Sequence, residues 1–319
     1  MSLLTAALHG VALGDALGRP AEFNDAPNAG IALTTTPYLP FPALVTDDTQ
    51  LAISIAEATP GPTDTITERY VHAIHHWATT DHHKGRAPGA TCLQAGRDLT
   101  PGTDWTLVTH LRSKGAGGVM RGHAPTILLN DEDGLNAALL QGALTHGHPT
   151  AIAAQAAWHG ALTAALHGVH PESWINTARA QLALLRTCPE SMAPLANRVG
   201  MDPDPWWTSG VGEVTRSLTE ADIALDAWTD RTIDPCTYTG PGWVAEEAVA
   251  GALLIAVAYA RDPLAGIVRA ARTSGDSDTL ASMVGALLGA HHGDGAWPPG
   301  WVDQIETPYK RRIAALRDL

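Results

Sequence analysis

Apolar residues recur along this chain at helical spacing, and nothing in the pattern indicates strands or alternating strand–helix units. Leu280, Met283, Val284, Leu287 and Leu288 fall at i, i+3, i+4, i+7 and i+8, predicting a long buried helix just after Thr279. Residues 243–260 are apolar almost throughout and predict a central helix that starts at Gly242 and Trp243. Residues 3–18 form an Ala-, Leu- and Gly-rich helix with Gly10, Gly14 and Gly18 every four residues, so one face lacks side chains and must pack closely on a neighbour. Further helical runs are expected after Thr49, at 65–80, 131–145, 149–168, 171–186 and 262–272. Residues 24–44, with four prolines, read as loop. From Thr187 to Gly242 the pattern loosens around six prolines, which predicts a loop-rich insertion or lid with short helices. The class is therefore all-α, in a single domain spanning 1–319.

Composition narrows the function classes. The chain has 319 residues and a net charge of −13, with no basic block, which argues against a general nucleic-acid binder. The three cysteines are odd in number and form no CxxC pair, so neither a disulfide framework nor a structural zinc site is expected. The N-terminal stretch lacks a basic region and Asp15 interrupts it, so neither a leader nor a membrane span is read there, and the cytoplasm is the expected location.

The chemistry sits at two helix entrances. Asp276 and Asp278 stand two residues apart after Gly275, and Thr279 follows. Mid-helix, residues at i and i+2 point apart, but in a loop entering a helix both carboxylates can face one partner. A plain N-cap explains one of them and leaves the other over. Thr46, Asp47, Asp48 and Thr49 repeat the arrangement ahead of Leu51 and Ile53. Four carboxylates with threonine hydroxyls are hard oxygen donors that suit Mg²⁺ or Mn²⁺, and gathering so much negative charge requires cations. Other features carry less. His72 and His76 are spaced i, i+4 without an HExxH pattern and read as a solvated face. Gly115, Gly117 and Gly118 permit a backbone anion nest or a plain loop. Arg121 fits either a phosphate or a buried salt bridge, and one of His146 and His148 can hydrogen-bond a ligand, with a histidine satisfied by backbone as the alternative.

Seven ordered motifs then carry a resemblance: GDALGRPAEF at 14–23, TDDT at 46–49, RAPGATC at 86–92, GAGGVMR at 115–121, THGHP at 145–149, GWVAEEA at 242–248 and SGDSDT at 274–279. Together they resemble the ADP-ribosylglycohydrolase family, which includes the dinitrogenase-reductase-activating glycohydrolases. The resemblance implies a compact orthogonal multi-helix bundle with a binuclear Mg²⁺ or Mn²⁺ site. By motif, the metal ligands fall on Thr46, Asp47, Asp48, Asp276, Asp278 and Thr279. The catalytic carboxylates fall on Glu22, Asp48 and Asp276. Substrate contacts fall on Glu22, Gly115, Ala116, Gly117, Gly118, Met120, His146 and Trp243. The implied reaction is hydrolysis at the anomeric carbon of ADP-ribose in an ADP-ribosylated macromolecule or small conjugate, by a chain expected to be monomeric. The expected acceptor is a protein side chain, arginine or serine, although this chain has Ala87 and Pro88 where the nitrogenase-reactivating members carry an Asp before the loop glycine, which weakens the case for arginine. The alternatives are a nucleobase or O-acetyl linkage, a non-catalytic ADP-ribose binder, and a two-metal phosphohydrolase that would release AMP.

Overall fold

The computed structural model describes residues 2–23, 42–298 and 300–319, so most of the proline-rich stretch expected as loop, 24–41, lies outside the described residues. The described chain is helical, with isolated bridges and no strand. Its helices are α1 (Leu3–Gly18), α2 (Asp47–Ala58), α3 (Ile66–Thr79), α4 (Ala90–Asp98), α5 (Trp105–Val108), α6 (His123–Leu128), α7 (Asp131–Ala143), α8 (Pro149–Leu166) and α9 (Trp174–Leu184). They continue as α10 (Ala193–Arg198), α11 (Pro203–Ala227), α12 (Cys236–Thr239), α13 (Ala245–Ala258), α14 (Pro263–Ala270), α15 (Ser277–His292), α16 (Trp301–Gln304) and α17 (Thr307–Ala315). Among the described residues no helix is long and apolar enough to cross a membrane.

Three largely apolar helices buried along most of their length, α8, α13 and α15, form the centre. The glycine face of α1 packs on α15. A Cβ built on Gly14 would lie 2.1 Å from the Ala281 carbonyl oxygen, and one on Gly10 would lie 2.1 Å from that of Gly285. Gly285 faces the Gly10 carbonyl in the same way, and Gly18 lies against the Asp278 backbone. The two backbones therefore touch without intervening side chains, and this contact sets where the Asp276–Asp278 entrance sits. Gly14→Ala is expected to lower stability by about 2–3 kcal/mol, because only a helix backbone shift can relieve the overlap. Gly212→Ala, on an open helical position with nothing within 4 Å, should instead raise stability by about 0.5–1 kcal/mol. Paired thermal melts check both, and an unchanged Gly14→Ala protein would contradict the close packing.

Two expectations change. The stretch from 187 to 242 contains α11, a helix of 25 residues whose Trp206, Trp207, Val214, Leu218 and Ala221 are buried against the core. Pro203 and Pro205 open this helix instead of breaking it, since a first-turn N–H has no intrahelical acceptor. The central helix begins at Ala245, two residues after Trp243. Gly242 has φ +85°, which ends any helical path, and Ala116 N–H donates to the Trp243 carbonyl at 3.1 Å.

Candidate active site

The entrances of α2 and α15 meet beside the end of α1. Thr46 is the N-cap of α2, its hydroxyl accepting from Asp48 N–H at 3.4 Å. Asp47 and Asp48 occupy the first helical turn, where the helix dipole favours negative charge. The Asp47 carboxylate accepts from Gly89 N–H at 3.1 Å, and Asp48 accepts from the Ser282 hydroxyl of α15 at 3.0 Å. Asp276 is the N-cap of α15 but makes no side-chain capping bond, so its carboxylate is not consumed in ending the helix. Asp276 N–H donates to the Pro241 carbonyl at 2.8 Å, and a Cβ on Gly275 would lie 1.9 Å from that same oxygen. The glycine is thus required by a close backbone approach next to the acids. One carboxylate oxygen from each of Glu22, Asp276 and Asp278 lies within 4.8 Å of the others.

These acids open onto a cavity of about 360 Å³, within the usual range for ligand sites. Glu22, Phe23, Asp47, Asp48, Asp276 and Thr279 line one side of it. Gly115, Ala116, Gly117, Met120, His146 and Trp243 line another, with 87–92 along the rim. A roomier groove of about 750 Å³ beside Trp105 and Asn136 has no comparable cluster of acids. Phe23 and Trp243 stack at the mouth with ring centroids 5.6 Å apart and planes 13° from parallel. Phe23 at φ +60° and Ala87 at φ +49° both hold backbone conformations unusual for residues with a side chain.

Among the described residues no Lys or Arg lines the cavity. Burial is the largest cause of the raised carboxyl pKa values, and neighbouring acids add to it. Glu22 is pushed up to about 9 by burial and then by Asp278. Asp47, Asp48 and Asp276 are held well above the ordinary carboxylate range. Such a donor set, all hard oxygen and without a protein cation, fits one or more divalent ions.

Of the site residues expected from sequence, Thr46 and Asp278 do not line the cavity, although Asp278 joins the carboxylate cluster. Gly118 lies behind the cavity wall, where a Cβ would come within 3.2 Å of Gln155 Nε2 and Gly142 Cα. Its smallness serves packing, and it does not contact the cavity. Residues 116–121 form a tight 3₁₀ turn, not an open loop. Arg86 is a strut: it grips Glu306 with two bonds of 2.6 and 2.8 Å and donates to the Val45 carbonyl at 2.7 Å, while Glu306 accepts from Val45 N–H. His72 and His76 are exposed on α3, and His148 caps α8.

Asp15 escaped the sequence reading. Fully buried in α1, it accepts from Thr46 N–H, Thr49 N–H and the Thr49 hydroxyl, so it caps α2 from a different helix. Burial and Asp278 push its carboxyl up to about 7. The available signal was that it is the one carboxylate in an otherwise apolar helix, where a buried acid needs partners. Ser282 was also missed, although it lies one turn after Asp278 and Thr279 on the same face.

A family model described as ADP-ribosylglycohydrolase matches residues 2–319. The chain belongs to the ADP-ribosylglycohydrolase family. That membership supports a hydrolase acting on ADP-ribosyl linkages. Among solved structures, the chain is similar to one described as an ADP-ribosylglycohydrolase-related protein complex. That match has 24% identity and a TM-score of 0.60, and covers 99% of this chain and 98% of that one. At this identity the likeness carries the all-α fold of the family. No sequence among curated proteins matches.

Proposed function

We propose that this ADP-ribosylglycohydrolase hydrolyses the glycosidic bond between the anomeric carbon of ADP-ribose and an acceptor group, releasing intact ADP-ribose, with two Mg²⁺ or Mn²⁺ ions bound. The observation that carries this reading is the convergence of Glu22, Asp276 and Asp278 within 4.8 Å, beside a cavity that no described Lys or Arg lines. Thr46, Asp47, Asp48, Asp276, Asp278 and Thr279 would hold the ions. When bound, divalent ions supply positive charge that polarises oxygen groups and orients a sugar's hydroxyls.

The protein's own groups have separable tasks. The turn at Gly115, Ala116 and Gly117, with Met120, forms the wall for the diphosphate, and His146 faces it. Phe23 and Trp243 offer aromatic surface for a ribose or adenine ring. Glu22, half-buried at the mouth, is the carboxyl best placed to pass a proton between attacking water and the departing acceptor. Asp48 and Asp276, deeper, hold the water and exclude bulk solvent. The rim at Ala87 and Pro88 presents no carboxylate to a guanidinium, which favours a serine or nucleobase acceptor over arginine.

Incubation with arginine-, serine- and nucleobase-linked ADP-ribose, with and without Mg²⁺, followed by mass spectrometry, tests the reading. Metal-dependent release of intact ADP-ribose is expected. Release of AMP would show pyrophosphate cleavage instead, and inertness toward every linkage would point to a binding role.

A further inference from the structure

Arg121 is fully buried, yet no carboxylate among the described residues pairs with it. Its N–H groups go to the Gln141 side-chain and backbone oxygens at 2.9 and 2.7 Å, the Cys92 sulfur at 3.4 Å, and the Thr145 hydroxyl oxygen at 2.8 Å. It lies outside the set of cavity-lining residues, so it does not reach the ligand. Thr145 Oγ1 is in turn 2.8 Å from Nδ1 of His146, whose ring lines the cavity.

We propose that Arg121 and Thr145 are positioning residues that fix His146 as the Nε2–H tautomer, a neutral donor aimed at an oxygen of the bound ligand. An imidazole tautomer follows from the bonds made by its other nitrogen. The guanidinium can only donate, so it occupies a lone pair of the Thr145 oxygen. The single hydroxyl proton then has two destinations. One is the Gly142 carbonyl, 3.4 Å away and already accepting from the N–H groups of Thr145 and His146 at 3.2 and 2.9 Å. The other is His146 Nδ1, at 2.8 Å and otherwise without a donor among the described residues. The proton goes to Nδ1, which leaves the ring proton on Nε2.

The Nε2 edge lies against the glycine turn. A Cβ on Gly115 would come 3.4 Å from Nε2, and one on Gly117 would come 3.3 Å from it. No described residue makes a hydrogen bond to Nε2. Burial, then Arg121 and His110, push the ring pKa down to about 3, so the ring stays uncharged. A neutral ring with its proton on Nε2 accepts nothing from the ligand and donates once. It therefore selects an oxygen acceptor, such as a diphosphate or carbonyl oxygen, over an N–H group. That the acceptor belongs to ADP-ribose rests on the function proposed above.

Nitrogen-15 NMR of the histidine rings tests the tautomer without any ligand, with His146→Gln identifying the relevant signals. The expected spectrum has the proton on Nε2 of His146 up to the highest pH at which the protein is folded. A proton on Nδ1 would overturn the proposal. In Thr145→Val the two tautomers should mix, and calorimetric titration with free ADP-ribose should show binding weakened in proportion to the fraction of ring lost from the Nε2–H tautomer, about twofold for an equal mixture. Thr145→Ser should restore both. Thr145→Val with an unchanged ring spectrum would also overturn it. If the wild-type protein fails to bind ADP-ribose while the ring carries its proton on Nε2, the ligand assignment falls and the relay stands.

Discussion

Asp276→Asn and Asp48→Asn are each expected to lower turnover by about three orders of magnitude, with helical content and the melting profile in EDTA close to wild type. Asn keeps the size of Asp and one acceptor oxygen but loses the charge that a divalent ion requires. Asp276 sits where α15 begins and its side chain caps nothing, so its replacement removes no helix-ending bond. Asp48 accepts from Ser282, a bond that an asparagine oxygen can retain. Burial and the neighbouring acids already push both carboxyls toward the neutral form without metal, so a neutral asparagine changes the metal-free fold little. The pair therefore separates chemistry from folding. Steady-state release of ADP-ribose, beside circular dichroism, is the measurement. Full activity of Asp276→Asn in EDTA would sink the proposed mechanism.

The second large effect is on stability. Glu22 at about 9 and Asp15 at about 7 lie above the ordinary carboxylate range, near 4 in an unfolded chain. Between roughly pH 7 and 9, where the histidines that burial holds low are neutral in both states, the folded protein without metal binds more protons than the unfolded chain. Stability must then fall as pH rises through this window, with the loss complete above the folded pKa values. In EDTA the melting temperature should therefore drop steadily from about pH 7 to about pH 9. This is opposite to the usual case, where carboxylates paired with cationic side chains stabilise more once ionised. Saturating Mg²⁺ or Mn²⁺ binds only the assembled carboxylates, so it should flatten the slope. At a hundredfold excess over Kd it adds about 2.7 kcal/mol, or a rise of roughly 5 °C. Calorimetric scans at several pH values in EDTA and in metal decide it. A melting temperature that climbs with pH in EDTA, or ignores metal, would contradict the electrostatic picture of this site.

The comparison of chain and fold turns on particular residues. Leu280, Met283, Val284 and Leu287 announce α15, because helical periodicity is a local property that survives in any context. The spacing of Gly10, Gly14 and Gly18 says that something must approach α1 closely, but cannot say what. Only the fold names Gly285 and Ala281 as the partners. The region of α11 was opaque because proline signals a break mid-helix and a start at the first turn, and the two readings look alike until the boundary is known. Arg121 was open between phosphate and salt bridge, and it is neither. Its acceptors are neutral groups of Gln141 and Thr145 together with the Cys92 sulfur, which no spacing rule could bring together.

The sequence by itself determined the element type, the two acid-bearing helix entrances and the hard-oxygen character of the donor set. Each of these follows from side-chain chemistry and short-range backbone preference. The tertiary structure decided which acids share a point. Glu22 reaches Asp276 and Asp278 because α1 and α15 meet glycine to backbone, and Asp15 fastens α2 to the end of α1. Distances between residues so far apart in the chain arise from packing and backbone contact, and these are set only when the whole core closes.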